Sequence, residues 1–308
     1  MRMRPLLPLA LAATLSALVL TACGGGGDGG GSGTIRSDGS STVGPLMQAA
    51  AERFQRERSD VRVTVGISGT GGGFERFCAG ETDISNASRP IEDEEKQSCS
   101  KAGVEFVELP VANDALTVVV NSENDWADCL TTAQLKTIWK PGSKVDSWKD
   151  VDPSFPDEPM KLYGPGTDSG TFDYFTSEIN GEEGASRPDY SASEDDNVIV
   201  RGVQGDKGAL GYFGFTYFEE NEDTLKAVGI DSGDGCVQPS METAQSGRYT
   251  PLSRPLFIYV KKASLSRSEV KDFVSFTLDN ADEIAGAARY IPPTEVQLSR
   301  SRAALANT

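Results

Sequence analysis

The chain has 308 residues, 46 of them acidic and 29 basic, so its formal net charge is −17 at pH 7. This charge argues against nucleic acid as a partner, because phosphate backbones are bound by basic surfaces. The sequence contains no histidine, which removes Ser-His-Asp catalysis, Cys-His catalysis and metal sites with histidine ligands. Such a length allows a large core that is usually divided between two domains.

Residues 1–22 have the pattern of a secretory signal peptide. Arg2 and Arg4 precede an apolar run at 6–20 that is too short for a stable membrane span. Leu20-Thr21-Ala22-Cys23 resembles a bacterial lipobox, which predicts cleavage before Cys23 and attachment of lipid, such as palmitate, to its thiol. The alternative is an ordinary signal with an incidental cysteine. Residues 23–33 are nearly all glycine and serine after Cys23, a composition that predicts a flexible tether.

From residue 34 onward, strand-like and helix-like segments alternate. Leu46, Ala50 and Phe54 are spaced as on one face of a helix. Helices are predicted at 45–58, 75–79, 132–139, 266–278 and 294–305. Strands are predicted at 61–67, 83–85, 104–111, 116–120, 161–163, 209–212 and 255–260. This alternation predicts an α/β fold with largely parallel sheets, in which ligands bind beyond the carboxyl ends of the strands.

Three glycine-rich, hydroxyl-bearing segments stand where strands should turn into helices. They are Gly39-Ser40-Ser41-Thr42, Ser68-Gly69-Thr70-Gly71-Gly72-Gly73 and Gly164-Pro165-Gly166-Thr167-Asp168-Ser169-Gly170-Thr171. A helix start has unpaired N–H groups and a partial positive charge, which suit an oxyanion. A single segment of this kind is equally typical of a structural turn, or of a helix cap by Asp168 or Ser169. Together they predict a site that surrounds a small anion with neutral donors.

Two further alternatives concern side chains beside these segments. Ser169 as a nucleophile lacks both a histidine base and the Gly-x-Ser-x-Gly pattern. Arg89, which follows Ser88 and a short strand, could bind an anion with two parallel hydrogen bonds. Alternatively, Arg89 pairs with one of the nearby acidic residues, which are Glu92, Asp93, Glu94 and Glu95.

Four cysteines follow Cys23, namely Cys78, Cys99, Cys129 and Cys236. An even number in an exported protein indicates two disulfides, and three pairings are possible. We favour Cys78–Cys99 and Cys129–Cys236, since each pair then lies within one proposed domain. No C-x-x-C spacing supports a zinc site. Trp139 and Trp148 are predicted to be core residues.

Taken in order, these segments resemble the phosphate-binding proteins that serve ABC-type phosphate importers. The resemblance also rests on Asp83-Ile84-Ser85-Asn86-Ala87-Ser88-Arg89, Leu135-Lys136-Thr137-Ile138-Trp139 and Gly205-Asp206-Lys207-Gly208-Ala209-Leu210-Gly211-Tyr212. It implies a two-lobed α/β fold of the type II periplasmic-binding-protein kind, with the ligand cleft between lobes. The lobes would be residues 34–113 plus 254–308 and residues 114–253, with chain crossings near 113–115 and 250–254.

The resemblance also implies which residues bind phosphate. They are Ser41, Thr42 and the backbone of Val43 in the first motif, Thr70 in the second, Ser88 in the third, and Ser169, Gly170 and Thr171 in the fourth. The aspartate with which the best-known branch of the family accepts the ligand's proton aligns with Arg89, and the fourth-motif arginine of that branch aligns with Pro165. We therefore expect Arg89 to supply positive charge and Asp168 to accept the proton that distinguishes phosphate from sulfate.

The implied function is an extracytoplasmic, lipid-anchored receptor that captures inorganic phosphate and delivers it to an ABC transporter permease. It would be a monomer without enzymatic activity, metal or cofactor. Three alternatives remain: a receptor for another oxyanion such as sulfate or molybdate, a phosphoesterase that uses Ser169, and a surface phosphate sensor without transport.

Overall fold

The structure, a computed structural model, describes residues 33–307. The predicted signal peptide, the lipidation site Cys23 and the tether up to residue 32 lie outside the described residues. The strands are β1 Thr34–Gly39, β2 Arg62–Val65, β3 Ile84–Ala87, β4 Phe106–Asn121, β5 Cys129–Thr131, β6 Lys161–Pro165, β7 Ser191–Ser193, β8 Ala209–Gly214, β9 Leu225–Ala227, β10 Gly229–Asp231, β11 Cys236–Val237 and β12 Ser253–Lys261.

The helices alternate with these strands, as the sequence predicts. They are α1 Val43–Glu57, α2 Gly69–Cys78, α3 Asp93–Lys101, α4 Thr132–Trp139, α5 Trp148–Val151, α6 Gly170–Phe175, α7 Asp196–Gln204, α8 Phe215–Glu219, α9 Met241–Gln245, α10 Ser268–Asp279, α11 Ala281–Ala287 and α12 Glu295–Ala306. A π-helical turn at Thr176–Asn180 continues α6, and a 3₁₀ turn at Lys262–Ser266 follows β12. Within residues 33–307, no helix combines the length and apolarity needed to cross a bilayer.

The main sheet has the strand order β2-β1-β3-β12-β4-β8-β6-β7, with β9 paired to β4. At one end β1 pairs in parallel with β2 and β3, and at the other end β6 pairs in parallel with β7 and β8. In the centre, β12 is antiparallel to β3 and β4, and β4 is antiparallel to β8. The α/β class is confirmed, whereas the expected parallel pairing holds only at the two ends of the sheet.

Strand β4 joins the two ends of the sheet as one continuous strand. The sequence predicts two strands there, at 104–111 and 116–120, because polar Asn113 and Asp114 interrupt the apolar pattern. Both residues are buried, and the ladder with β12 continues past them, pairing Asp114 with Arg254. Pairing with a charged partner therefore keeps the polar residues within the strand.

Helix α2 begins inside the glycine run, six residues before the predicted start at Glu75. A side chain at Gly73 would bring its Cβ within 2.5 Å of the Gly39 Cα. Only glycine allows this close approach between α2 and the end of β1. Tertiary packing thus outweighs the low helix propensity of glycine.

Two large hydrophobic cores support the sheet. In one, Leu46 and Phe54 of α1 pack against Phe273 of α10, with 5.3 Å between the two phenylalanine ring centroids. In the other, Trp139 and Trp148 are fully buried. The prediction that these tryptophans are core residues is confirmed.

Two disulfides tie surface elements together with the favoured pairing. Cys78–Cys99 links α2 to α3, and Cys129–Cys236 links β5 to β11. The pairing predicted from the sequence is confirmed.

Candidate functional site

One cavity of about 550 Å³ lies where the turns after β1, β2 and β3 approach α6 and the start of β12. Six of the predicted ligand-binding residues line it: Ser41, Thr42, Thr70, Ser88, Arg89 and Gly170. Four are not among its lining residues: Val43, Asp168, Ser169 and Thr171. The fold therefore brings the first three motifs together, while the fourth motif reaches the cavity through Gly170.

The first motif is fixed by local and cross-strand contacts. Ser40 Oγ accepts hydrogen bonds from the N–H groups of Thr42 at 3.2 Å and Val43 at 3.3 Å. Gly39, at φ 142°, leaves no room for a side chain, because its Cβ would lie 2.2 Å from the carbonyl oxygen of Asn86. The N–H of Val43, a predicted ligand contact, is thus already bonded within the protein.

Thr42 presents an oriented hydroxyl to the cavity. Arg254 Nη2 donates a hydrogen bond to Thr42 Oγ1 at 3.0 Å, and Tyr290 OH donates to the Thr42 carbonyl oxygen at 2.7 Å. A hydroxyl that accepts one hydrogen bond keeps its own proton to donate. The arrangement leaves Thr42 Oγ1 able to donate to an oxygen atom in the cavity.

Arg254 lines the cavity but was not predicted from the sequence to bind the ligand. Its guanidinium carbon lies 3.6 Å from the centroid of the Tyr174 ring, and both Nε and Nη2 lie 3.3 Å from Asp114 Oδ2. Burial raises the pKa of Asp114, while Arg254 lowers it. Arg254 stands in a strand without a glycine-rich turn. The one available signal was a charged residue at a predicted chain crossing.

The second and third motifs meet through their hydroxyls. Thr70 Oγ1 lies 3.1 Å from Ser88 Oγ and accepts a hydrogen bond from the Ser88 N–H at 3.2 Å. Thr70 is in the first turn of α2, where backbone N–H groups have no partner within the helix. The two turns can offer hydroxyl donors, and the start of α2 amide donors, to one ligand.

Arg89 lines the cavity with its charge already compensated. Its Nη1 and Nη2 donate to the two carboxylate oxygens of Glu95 at 2.9 and 2.8 Å, and its Nε lies 3.2 Å from Glu92. The guanidinium carbon is 5.9 Å from the centroid of the Phe74 ring. The paired alternative considered for Arg89 is therefore the one present in this structure.

The fourth motif caps a helix and approaches the first motif. Ser169 Oγ accepts a hydrogen bond from the Thr171 N–H at 3.2 Å and so caps α6. A Cβ at Gly170 would lie 3.0 Å from Thr42 Oγ1. Asp168 is exposed, and its N–H donates to Glu194 Oε1 at 3.3 Å. Its carboxylate is not brought to the cavity.

Asp173, in the first turn of α6, lines the cavity, where its carboxylate is influenced by Arg254. Burial raises its pKa, the charge of Glu183 raises it further, and Arg254 lowers it. In the sequence, the one indication that Asp173 lies near the site was its position three residues after Gly170, in the first turn of the helix that follows the fourth motif. Within residues 33–307, no group of three or more His, Cys, Asp or Glu is arranged to hold a metal ion.

Comparisons with known proteins show the family of the chain. A sequence profile described as a PBP superfamily domain matches residues 25–281. Protein SphX of Synechococcus elongatus is 48% identical over 261 residues, 84% of this chain and 77% of that protein. The phosphate-binding protein PstS of Staphylococcus saprophyticus is 42% identical over 281 residues, 90% of this chain and 86% of that protein.

A solved structure described as a possible phosphate binding protein from Planctomyces limnophilus is also similar. Its sequence identity is 49% and its TM-score is 0.87, and the match covers 90% of this chain and 99% of that one. The profile match and both relatives extend over most of the chain. The chain therefore belongs to the periplasmic-binding-protein superfamily, as a PstS-like type II periplasmic-binding protein.

Proposed function

We propose that the protein captures inorganic phosphate in this cavity and delivers it to the permease of an ABC-type importer. One observation carries the proposal: the hydroxyls of Thr42, Thr70 and Ser88, from three separate turns, line one cavity with Arg254. The names of the PstS relatives, which describe phosphate-binding proteins, support phosphate as the ligand.

The proposed recognition uses neutral donors and one cation. The hydroxyls of Ser41, Thr42, Thr70 and Ser88 donate to phosphate oxygens, together with amides at the start of α2 and at Gly170. We assign the positive charge to Arg254 in place of Arg89. Arg254 donates to Thr42 in the cavity and pairs with one carboxylate, that of Asp114, whereas Arg89 pairs with both Glu95 and Glu92. Ser169, Thr171 and the Val43 amide act by holding the turns in place.

A carboxylate in the cavity would discriminate phosphate from sulfate. Near neutral pH phosphate keeps a proton that it can donate, whereas sulfate is fully ionised and is repelled by an acceptor. We propose Asp173 for this role in place of Asp168, because Asp173 lines the cavity and Asp168 is exposed.

The remaining parts of the proposal concern location and movement. The chain is exported, cleaved before Cys23, and held to the membrane by lipid on that cysteine. Residues 34–113 with 254–308 form one lobe and 114–253 the other, and the lobes close on phosphate. The protein acts as a monomeric binding protein without catalysis. Ser169 does not line the cavity, and the chain has no histidine that could activate it.

Calorimetric titration of the full chain with phosphate, sulfate and molybdate tests the ligand, at pH values on both sides of the second ionisation of phosphate. We expect phosphate to bind at least about a hundredfold more tightly than the other two, a difference of about 2.8 kcal/mol. Equal affinity for sulfate or molybdate would assign another oxyanion. Release of phosphate from an aryl phosphate ester would instead indicate an enzyme.

A further inference from the structure

We propose that two glutamates, Glu178 and Glu183, make the cavity reject condensed phosphates such as pyrophosphate while it accepts a single phosphate. We call this pair the acidic rim. Both residues line the cavity that also contains Thr42 and Arg254. The inference rests on the proposed function and adds a limit on the charge of the ligand.

The size of the cavity does not supply this limit. Its volume of about 550 Å³ lies within the range of roughly 300–1,000 Å³ found for pockets that enclose drug-sized molecules. A single phosphate has only a handful of heavy atoms. Pyrophosphate and small phosphate esters therefore fit by volume, and their rejection needs another cause.

The cations of the cavity have little charge to spare for a second phosphoryl group. Arg254 lies 3.3 Å from Asp114, and the side chains of this pair are only 19% and 7% exposed. Arg89 is held by Glu95 and Glu92. One phosphate can share Arg254 with Asp114, but a longer polyanion finds no uncompensated cation among the lining residues.

The carboxylates of the acidic rim, in contrast, are not held in salt bridges. Among the ion pairs formed by residues 33–307, none includes Glu178 or Glu183. Both charges act on the cavity. Glu183 raises the pKa of Asp173. Partial burial raises the pKa of Glu178, and Arg254 offsets part of that rise.

The backbone that carries the acidic rim is anchored. Glu178 belongs to the π-helical turn Thr176–Asn180, and Glu183 lies in the loop that follows. Thr176 Oγ1 accepts a hydrogen bond from the Gly184 N–H at 2.8 Å, and Asn180 Nδ2 donates to the Ala185 carbonyl oxygen at 2.6 Å. The backbone of this segment therefore keeps both side chains at the cavity.

The expected penalty is large enough to measure. At an effective dielectric constant of about 20, one like charge roughly 7 Å away weakens binding on the order of tenfold or more, and salt reduces the effect. This repulsion contributes to specificity by weakening the binding of pyrophosphate, without adding a contact to phosphate.

The test compares three forms of the full chain by calorimetry: the wild type, the double variant Glu178→Gln/Glu183→Gln, and the control Glu182→Gln. Glu182 is an exposed neighbour that does not line the cavity. Each form is titrated with inorganic phosphate and with inorganic pyrophosphate without divalent cations, at about 20 mM and about 200 mM salt.

We expect the ratio of pyrophosphate to phosphate affinity to be at least about tenfold higher in the double variant than in the wild type at low salt, because pyrophosphate carries the greater negative charge. The gain should shrink at high salt, and Glu182→Gln should match the wild type. An unchanged ratio of pyrophosphate to phosphate affinity in the double variant would overturn the inference, as would an equal gain from Glu182→Gln. A wild type that binds no phosphate would refute the proposed function separately, while pyrophosphate binding would still report on the acidic rim.

Discussion

Arg254 donates a hydrogen bond to the hydroxyl of Thr42 at 3.0 Å across 212 positions of sequence. The contact joins the central strand β12 to the start of α1, and the same guanidinium lies over the ring of Tyr174 in α6. One arginine thus contacts the first motif, the helix that follows the fourth motif and, through Asp114, strand β4. The first three predictions concern this network and the acid beside it.

Phosphate affinity should depend on the hydroxyl of Thr42 more than on the shape of this side chain. Thr42→Val keeps the volume but removes the acceptor for Arg254 and the donor proposed for phosphate. A donor left without its partner costs about 1–3 kcal/mol, so phosphate affinity should fall at least about tenfold. Calorimetry should give near wild-type binding for the control Thr42→Ser, which keeps the hydroxyl. Wild-type affinity in Thr42→Val would remove this residue from the site.

Removing Arg254 should leave a pH-dependent defect in stability. In Arg254→Gln the buried Asp114 loses the group that lowers its pKa, so the pKa rises further above its unfolded value. An acid with a raised folded pKa destabilises the fold when ionised, and the cost disappears as pH falls below the unfolded pKa. Breaking a buried pair costs about 3–5 kcal/mol.

Urea unfolding across pH measures this effect. We expect the deficit of Arg254→Gln to be largest near neutral pH and to shrink towards acid. The double variant Arg254→Gln/Asp114→Asn, which has no buried charge, should recover most of the loss at neutral pH. A deficit that stays constant with pH would show that the charge of Asp114 is not its cause.

Substitutions of Asp173 and Asp168 distinguish the two candidates for the proton acceptor that gives selectivity for phosphate over sulfate. If Asp173 accepts the proton of phosphate, Asp173→Asn should reduce the preference for phosphate over sulfate at least about tenfold. Burial and Glu183 raise the pKa of Asp173, so the carboxylate acceptor is lost as pH falls through that raised pKa. The preference of the wild type for phosphate should therefore fall with falling pH, and this pH dependence should be absent in Asp173→Asn. Competition calorimetry with Asp168→Asn provides the comparison. Lost selectivity in Asp168→Asn, with Asp173→Asn unchanged, would restore the assignment made from sequence.

Two glycines of the same helix should respond oppositely to alanine. Gly73→Ala places a Cβ 2.5 Å from the Gly39 Cα, a backbone atom that cannot rotate away, whereas a Cβ at Gly71 meets nothing within 4 Å. Thermal unfolding should show Gly73→Ala destabilised by more than about 1 kcal/mol, as for overpacking. Gly71→Ala should gain about 0.5–1 kcal/mol from helix propensity. Equal effects at the two positions would contradict the close packing of α2 on β1.

The two disulfides should differ in their contribution to stability. Cys129–Cys236 spans 107 positions and Cys78–Cys99 spans 21. The loop-entropy relation gives about 5 kcal/mol for the longer loop and about 3 kcal/mol for the shorter one. Denaturant unfolding of the two paired Cys→Ala variants measures the difference. A larger loss from the Cys78–Cys99 pair would mean that native contacts, and not loop closure, dominate.

The parts of the site that could be predicted from sequence carry a local pattern. Thr42, Thr70 and Ser88 each follow a strand and stand in or near a turn rich in small residues, so a short stretch of sequence identifies them. Arg254 could not be found this way, because its position depends on the register that pairs it with Asp114 across 140 positions. The partner of Arg89 required knowing where α3 begins.

For the fold, too, the features that depend on a local sequence pattern could be predicted. The order and type of the main elements follow from hydrophobic periodicity. The start of α2 and the continuity of β4 do not, because both depend on distant partners. The glycine run of α2 packs closely against Gly39, and β12 pairs with β4 on both sides of Asp114.

A crystal structure of the full chain with phosphate is the decisive test of the proposed binding mode. We expect one phosphate in the cavity, with its oxygens within about 3 Å of the hydroxyls of Thr42, Thr70 and Ser88 and of the guanidinium of Arg254. Phosphate bound elsewhere, or in the cavity without contact to these hydroxyls and Arg254, would contradict it.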